Sequence, residues 1–276
     1  MLAVAAISLQ LCPPVSALEI VGASTIQPIM KQLQPLIERA ENEPLTLRGG
    51  GSAAGAAAVT DGRAEIGMVS RPLNDEERSR LQHEVIGYDA LAIVVNRANP
   101  LMGLSKSQLI DIFAGRTSNW KELGGPDRPI VLVSKEVGRS TLELFEQYTG
   151  LLSPKRVASE AIPRISGKAH IIGSNLESLT LVGGLPGAIG YVSVATAHSM
   201  DEAGLPIKIL KLEGIEPKPQ SIANGNYPII RELNLVFRAR TARVDRLLQL
   251  MQGDEGIAVL RQQGFLPPVV PPGSRP

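Results

Sequence analysis

Three glycines followed by a serine form the stretch of this sequence whose chemistry is easiest to name. Gly49, Gly50 and Gly51 separate a strand-like run at residues 45–47 from an alanine-rich helical pattern that starts at Ser52. Consecutive glycines weaken strands and helices, so they indicate a tight turn that approaches another part of the structure. Ser52 stands where a helix N-cap is expected. A turn, a hydroxyl and a helix start in this order present O–H and backbone N–H donors at the positive end of a helix dipole, which is the outline of an anion site.

The same construction occurs twice more in the chain. Ser24 and Thr25 follow the first strand-like run and precede apolar residues at helical spacing. Ser140 and Thr141 stand in the same way between another strand-like run and a helical stripe. One such turn is a weak signal, because an ordinary strand-to-helix connection has the same form. Three of them favour a shared anion site.

The hydrophobic pattern predicts the elements that must position these turns. Strand-like runs alternate with helical patterns along nearly the whole chain, which predicts an α/β fold. The longest apolar run, residues 85–96, reads as a strand pair or as one extended strand long enough to cross between two lobes. Residues 247–263 predict one terminal helix, and the proline-rich segment 267–276 is expected to be disordered.

Length and composition limit the classes of function. The 276 residues can form one large domain or two of ordinary size, and 43% hydrophobic residues allow a sizeable core. A formal net charge of +1 argues against a nucleic-acid partner, which would need a basic face. Aromatic residues make up only 3%, with Trp120 as the single tryptophan, so sites that stack sugars or bases are disfavoured.

The amino terminus predicts export. Residues 2–11 are mostly apolar and too few to span a bilayer, and residues 15–17 follow the small-x-small pattern of a cleavage site. We therefore expect a signal peptide over residues 1–17, cleaved after Ala17, and a soluble mature protein in the periplasm. Cys12, the only cysteine, would leave with the signal, so the mature chain would hold no disulfide and no cysteine metal site.

Six short motifs follow one another along the mature chain. They are GAST at residues 22–25, GGGSAAG at 49–55, IGMVSR at 66–71, FAGRTSNWKELGG at 113–125, GAIGY at 187–191 and YPIIR at 227–231. In this combination and order, the chain resembles the periplasmic phosphate-binding proteins of ATP-driven high-affinity phosphate importers, which are type II periplasmic binding proteins. The resemblance covers nearly the whole mature chain and is highly specific.

The resemblance implies a two-lobed fold of the periplasmic-binding-protein type. Each lobe would be a sheet flanked by helices, and two crossover strands would join lobes that close on the ligand like a hinge. Lobe I would comprise residues 18–90 plus 228–276, and lobe II residues 91–227. The implied function is capture of inorganic phosphate and its delivery to the permease subunits of an ABC transporter, by a monomer that is not an enzyme and needs no cofactor or metal.

The resemblance also carries binding residues over to this chain. The family's first loop corresponds to Ser24, Thr25 and Ile26, and its second loop to Ser52. Some members place an aspartate in the IGMVSR motif to accept a proton from phosphate. This chain has Ser70 and Arg71 there and no carboxylate.

The third loop departs from the family pattern Arg-x-x-Gly-Ser-Gly-Thr. Gly138 and Thr141 match it, but Lys135 stands where arginine is usual, Arg139 where serine is usual and Ser140 where glycine is usual. A lysine lacks the bidentate fork that arginine offers a phosphate. Arg139 would either restore the lost donors or block the loop. One or two cations among Arg71, Lys135 and Arg139 would balance the ligand's charge.

Each of these residues also has a structural interpretation. The hydroxyls of Ser24, Thr25, Ser52 and Thr141 could serve only as helix caps. Arg71 could pin a hinge through a carboxylate, and Arg139 could lie in a solvated loop. Asn175 is a weaker candidate from the second lobe. Tyr88 and Asp89 are expected at the hinge or rim, and Trp120 is expected to pack its own loop. Each of these structural interpretations rests on the residues that neighbour the position in the sequence.

Other functions compete with phosphate import. A serine hydrolase is disfavoured, because none of the 3 histidines lies near a nucleophile motif and Ala54 breaks the Gly-x-Ser-x-Gly pattern around Ser52. No Walker phosphate loop and no metal-ligand cluster is present in the sequence. A secreted phosphate scavenger or adhesin-like protein without a transporter, and a binder of another oxyanion such as sulfate, remain open alternatives.

Overall fold

The computed structural model describes residues 18–156, 159 and 161–268. The predicted signal peptide, Cys12 and most of the proline-rich carboxyl-terminal segment lie outside these described residues. Within them, none of the helices has both the length and the apolar character that a membrane crossing needs. No group of three or more histidine, cysteine, aspartate or glutamate side chains in this part of the chain is arranged to hold a metal ion.

The described part of the chain alternates strands and helices, as the pattern predicts. The strands are β1 (Leu18–Gly22), β2 (Leu45–Arg48), β3 (Ile66–Val69), β4 (Gln82–Asn96), β5 (Gly103–Leu104), β6 (Val131–Lys135), β7 (His170–Ile172), β8 (Ala188–Ser193), β9 (Ile207–Leu212) and β10 (Ile230–Phe237). The helices are α1 (Gln27–Glu41), α2 (Ser52–Thr60), α3 (Asp75–Arg80), α4 (Lys106–Phe113), α5 (Ser140–Thr149), α6 (Asn175–Gly184), α7 (Val194–Glu202), α8 (Pro219–Ala223), α9 (Ala242–Gln252) and α10 (Asp254–Gln262). A 3-10 turn spans Trp120–Leu123.

The strands form one continuous, curled sheet in the order β2-β1-β3-β10-β4-β8-β6-β7, with β9 pairing β4 and β5. At one end β1 pairs in parallel with β2 and β3. At the other end β6 pairs in parallel with β7 and β8. Parallel strands joined through helices place the helix starts at the carboxyl ends of the strands, where ligands bind in open α/β sheets. The α/β fold predicted from the sequence is confirmed.

β4 and β10 connect the two ends of this sheet. β4 is one strand: its first part, up to Ala90, pairs with β10, and its second part, from Leu91, pairs with β8 and β9. β10 in turn pairs with β3. The chain therefore has two lobes. We call β1–β3 with α1–α3, α9 and α10 the first lobe, and β5–β9 with α4–α8 the second lobe.

Each lobe has its own apolar core. In the second lobe, the rings of Phe113, Phe145 and Tyr191 lie within 4.1–5.5 Å of one another between centroids. In the first lobe, α1, α9 and α10 cover the sheet around Ile20 and Leu235. Full burial of one large apolar side chain is worth about 1.5–3 kcal/mol, so each cluster can stabilise its lobe.

Some elements differ from the sequence prediction. The predicted terminal helix is two helices, α9 and α10, because Gly253 between them has extended backbone angles. The sequence patterns do not predict the strands β5, β7 and β9 or the helices α7 and α8; β5 and β7 have only 2 and 3 residues, whereas β9 is a 6-residue, mostly apolar run that sequence reasoning missed. Trp120 is buried and its Nε1 donates to the Gly187 carbonyl at 2.9 Å, so it packs its loop as expected.

Candidate functional site

Four helices begin around one small cavity between the lobes. α1 and α2 belong to the first lobe, and α5 and α6 to the second. The residues that line the cavity either precede these helices or open them: Ala23, Ser24, Thr25, Gly51, Arg139, Ser140, Thr141, Gly173 and Asn175. Each helix start carries a partial positive charge of about half an elementary unit, so the convergence favours an anion.

The second turn reaches the opposite lobe by its backbone. Gly51 has φ +94°, which a side chain would strain, and a Cβ added there would lie 2.6 Å from the Gly138 carbonyl oxygen. The Ala53 N–H donates to the same oxygen at 3.4 Å. The glycine run therefore does what the sequence predicts, since it allows a close backbone approach, and what it approaches is the third turn.

None of the candidate hydroxyls caps a helix. The N-cap residues of α1, α2 and α5 are Ile26, Gly51 and Arg139, and no side chain makes the capping hydrogen bond in these three helices. The prediction that Ser52 is an N-cap is therefore wrong, because the positive φ at Gly51 places the serine inside the first turn. The cap-only interpretation of Ser24, Thr25 and Thr141 is excluded in the same way.

Five of the ten predicted site residues line the cavity, namely Ser24, Thr25, Arg139, Ser140 and Thr141. The other five, Ile26, Ser52, Ser70, Arg71 and Lys135, are not among its lining residues. The Ile26 N–H donates to the Ala23 carbonyl at 3.1 Å, so this donor is used within its own turn. Phosphate binding by any of these ten residues stays a prediction.

Ser52 and Ser70 support the lining from behind. Ser52 Oγ accepts the Ser70 N–H at 3.0 Å, and Ser70 Oγ lies 2.6 Å from Ser140 Oγ. All three serines are buried. They form a hydrogen-bonded chain, through the backbone N–H and the hydroxyl of Ser70, that runs from the start of α2 through the end of β3 to the start of α5, so a change at Ser52 would reach the cavity through Ser140.

Arg139 brings a cation to the cavity wall. Its Nη2 donates to Glu136 Oε2 at 2.8 Å, and its side chain is 20% exposed. Neither of the alternatives drawn from the sequence describes it fully, because it lines the cavity and is paired at the same time. Glu136 and Glu177 both have a carboxylate oxygen near Gly173, at 3.2 and 3.4 Å from its ideal Cβ position.

Lys135 lies behind the wall made by α6. Its Nζ donates to the Ser174 carbonyl at 2.5 Å and also to Ser178 Oγ. Ser174 is the N-cap of α6, directly before Asn175. Lys135 therefore ties the start of this helix to the end of β6, and it does not line the cavity as the family's arginine position implied.

The environment of Lys135 shifts its pKa strongly. Burial of the ammonium group lowers the pKa from 10.5 to about 7; Glu177 opposes the shift, and the charges of Arg139 and Arg231 add to it. A buried amine with this pKa changes its charge near neutral pH, and an anion placed among these three cations would favour the protonated form.

Arg71 points away from the cavity into a cluster of carboxylates. Its guanidinium donates to both Glu77 oxygens at 2.7 and 2.8 Å, and Nε donates to Glu143 on α5. The structural interpretation from the sequence, an arginine that pins the lobes through a carboxylate, describes these contacts. We call Arg71, Glu77 and Glu143 the rim cluster.

Sequence reasoning missed one buried ion pair next to the cavity. Arg231 on β10 donates to Asp89 Oδ2 on β4 from Nε at 3.0 Å and from Nη2 at 2.6 Å. The same guanidinium contacts Thr25 and Ser140. The sequence predicts Asp89 only at the hinge or rim, and it presents Arg231 only as the last residue of the YPIIR motif. We call Arg231 and Asp89 the floor pair.

Together these groups suit a small, dehydrated oxyanion. The hydroxyls of Ser24, Thr25, Ser140 and Thr141, the helix starts and Arg139 all present hydrogen-bond donors, and no carboxylate side chain is among the nine lining residues. Stripping water from an anion is costly unless each oxygen finds donors. Hydroxyls and backbone N–H groups meet this need with little added charge.

Comparison with known proteins agrees with this chemistry. A family model described as "PBP superfamily domain" matches residues 12–250. The phosphate-binding protein PstS of Bacillus subtilis is 25% identical over 258 residues, which cover 91% of this chain and 80% of that protein.

Two solved structures are similar over nearly the same range. One is a putative phosphate ABC transporter substrate-binding protein from Clostridium perfringens with bound phosphate; it has a TM-score of 0.80 and 26% identity, and the match covers 91% of this chain and 99% of that chain. The other is an ABC-type phosphate transport receptor from Vibrio cholerae, with a TM-score of 0.73, 28% identity and coverage of 91% and 100%.

Proposed function

The chain belongs to the PBP superfamily, and from this premise we propose that it is an exported solute-binding protein that captures inorganic phosphate between its two lobes and delivers it to an ABC importer. The observation that carries the proposal is the convergence of four helix starts and four hydroxyl side chains on one cavity. The names of the relatives are those of binding and transport proteins, and we propose that this chain likewise has no catalytic activity.

The lobes close as a hinge in this proposal. We place the boundaries at residues 90/91 and 227/228, so that lobe I is 18–90 plus 228–276 and lobe II is 91–227. The change of pairing partner along β4 supports the first boundary. Tyr227 is buried in the core of the second lobe and Leu233 in that of the first, which supports a second boundary in this segment, and Ile229 in the second-lobe core favours a position a few residues after 227/228.

The protein acts in the periplasm, as a monomer, after cleavage behind Ala17. Its ligand site needs donors from both lobes, so phosphate binding stabilises the closed arrangement. A site of this type reaches a dissociation constant of about 1 μM or lower, which corresponds to about 8 kcal/mol.

Parallel calorimetric titration of the purified protein with phosphate, sulfate, arsenate and molybdate tests the ligand. We expect phosphate to bind in the micromolar range or tighter, with arsenate close behind because it has the same shape and protonation chemistry. Tighter binding of sulfate or molybdate would assign the protein to another oxyanion, and no binding of any of the four would overturn the proposal.

A variant pair tests the site. Thr141→Val should weaken phosphate binding by about 1–3 kcal/mol, because a buried charged ligand loses a donor. Thr149→Val, at the far end of the same helix, is the matched control: its hydroxyl bonds the Phe145 carbonyl and is remote from the cavity. Equal affinities of the two variants would remove Thr141 from the site.

Phosphate uptake by cells that lack the gene tests delivery. Restored high-affinity uptake on expression of the chain supports an importer role. Unchanged uptake together with intact binding by the purified protein would favour a secreted scavenger or adhesin-like protein that works without a transporter.

A further inference from the structure

The floor pair lies where the two lobes join. Arg231 and Asp89 are direct cross-strand partners in the pairing of β10 with β4. Their side chains are 0% and 1% exposed, and two hydrogen bonds hold the guanidinium to one carboxylate oxygen. The other oxygen, Oδ1, accepts the Ala195 N–H at 3.3 Å. The pair is therefore fixed in orientation by both crossover strands and by the start of α7.

Arg231 contacts a site hydroxyl from each lobe. Nη2 donates to Thr25 Oγ1 at 3.1 Å, and Nη1 donates to Ser140 Oγ at 3.4 Å. Both hydroxyls line the cavity. A guanidinium has N–H donors and no acceptor, so each hydroxyl must accept in these contacts. The direction of both hydrogen bonds is thus set by chemistry alone.

An accepting hydroxyl keeps its own proton for another partner. Thr25 Oγ1 also accepts from Asn175 Nδ2 at 3.4 Å, which occupies its second lone pair. Its O–H group can then only donate, and the cavity lies on its open side. A fully deprotonated oxygen of an oxyanion can only accept, so the two groups match.

We propose that Arg231 is a positioning residue for the ligand: it donates to Thr25 and so, together with Asn175, fixes the Thr25 hydroxyl as a hydrogen-bond donor toward the bound oxyanion. The inference rests on the proposed function of the cavity. Asp89 neutralises the charge of Arg231 and fixes the orientation of its guanidinium plane. Arg231 therefore contributes to ligand binding through geometry more than through net charge. The fork of a guanidinium reaches two hydroxyls at once, which a lysine ammonium on the same strand does not.

The consequence is a selection on the ligand's protonation state. Thr25 offers the cavity a fixed O–H donor, so the ligand oxygen that faces Thr25 carries no proton. Any proton on the bound anion must lie on an oxygen that faces another part of the wall.

A double-mutant cycle tests the proposal. Phosphate dissociation constants are measured by calorimetry for the native protein, Arg231→Lys, Thr25→Val and the double variant. We expect each single variant to bind about tenfold or more weakly, as for a lost hydrogen bond to a charged group. The double variant should bind within about threefold of the weaker single variant, because Arg231 acts through Thr25. If the double variant instead loses affinity by the product of the two single-variant fold-changes, the two residues act independently and the proposal is overturned.

The matched control is Arg243→Lys, an arginine of the first lobe that pairs with Glu41, Glu43 and Glu65 away from the cavity. Its phosphate affinity should equal that of the native protein. If the native protein fails to bind phosphate, the proposed function fails. If Thr25→Val alone leaves the affinity unchanged, Thr25 is not a donor to the ligand and the present proposal fails while phosphate binding stands.

A second measurement needs no variant and so does not depend on how Arg231→Lys folds. Neutron diffraction from crystals of the deuterated phosphate complex locates the Thr25 hydroxyl deuterium. It should lie between Thr25 Oγ1 and a phosphate oxygen, with an Arg231 Nη2 deuterium directed at Thr25 Oγ1. A Thr25 deuterium directed at any other acceptor would overturn the proposal.

Discussion

Two arginines connect the same pair of lobes at different depths. Arg231 of the floor pair is fully buried and bonds one carboxylate, whereas Arg71 of the rim cluster is 10% exposed and bonds two. Arg231 and its partner sit on the crossover strands themselves. Arg71 follows β3 in the first lobe, and its partner Glu143 is on α5 in the second.

This difference in placement gives similar ion pairs different roles. Opening of the lobes would leave Arg231 and Asp89 together, because adjacent strands carry both of them. The same motion would separate Arg71 from Glu143, whose residues are tied to different cores, while Arg71 would keep Glu77. The floor pair itself therefore stays formed as the lobes open, and the rim contact belongs to the closed form.

The largest effect should come from breaking the floor pair. Arg231→Met leaves the Asp89 charge buried and unpaired, so it should lower the free energy of unfolding by about 3–5 kcal/mol. Arg71→Met leaves the carboxylates of Glu77 and Glu143 unpaired but partly hydrated, so it should lower the free energy of unfolding by about 1–3 kcal/mol. Urea denaturation of both variants measures the two values. A loss at Arg71 equal to or larger than that at Arg231 would contradict the comparison.

A smaller effect, on the pH dependence of stability, is expected from Lys135. This cation has a hydroxyl and a carbonyl as hydrogen-bond partners where the two arginines have carboxylates. Its pKa is about 7 in the folded protein and 10.5 as the ordinary value. Below pH 7 both states hold the proton and the burial cost is fully present. Between pH 7 and 10.5 the unfolded state binds more protons than the native state, so native stability rises with pH, by at most about 1.4 kcal/mol per unit.

Urea denaturation from pH 6 to pH 9 checks this slope. Lys135→Met should lack the rise that the native protein shows, so the difference in unfolding free energy between the two should change with pH. Lys211→Met, at an exposed position of β9, is the matched control and should keep the native pH dependence. If the unfolding free energies of the native protein and Lys135→Met run parallel with pH, Lys135 does not have the low pKa.

The smallest effect is expected at the rim. Arg71→Gln should weaken phosphate binding by no more than about 1 kcal/mol, because opening separates Arg71 only from Glu143 and leaves its pair with Glu77 in place. It should also make the phosphate affinity less dependent on salt concentration, because the Arg71–Glu143 ion pair of the closed form, which salt screens, is absent. Titrations between low and high NaCl measure both quantities.

Arg48→Gln, which removes an exposed pair with Glu19 within the first lobe, serves as the control. Its salt dependence should match that of the native protein. An Arg71→Gln variant with the native salt slope would show that the rim contact does not contribute to closure.

Local patterns in the sequence predicted the elements better than the side-chain partners. The turns before α1, α2 and α5 are readable because glycines, hydroxyls and the following helical period lie within a few residues of one another. The floor pair is not readable in this way, because Arg231 and Asp89 are 142 positions apart and meet only through the pairing of β10 with β4. Arg71 and Glu143 are 72 positions apart and lie on different lobes.

Resemblance predicted the order of the loops and the fold, and it was less informative where a loop departs from the family pattern. Lys135 occupies the arginine position of that pattern, yet a shorter, single-headed ammonium finds its partners on α6 behind the wall. Ser52 keeps its place in the motif, but the backbone angle of Gly51 turns its hydroxyl toward Ser70.

In the proposed hinge closure, the backbone contact between Gly51 and Gly138 would act as a stop. Both positions are glycines, and the 2.6 Å from the ideal Cβ position of Gly51 to the Gly138 carbonyl oxygen leaves no room for a side chain at Gly51. The narrowest width of the slot is thus dictated by main chain meeting main chain. In the proposed binding cycle, this backbone contact would limit how far the lobes can approach each other, whichever side chains line the cavity.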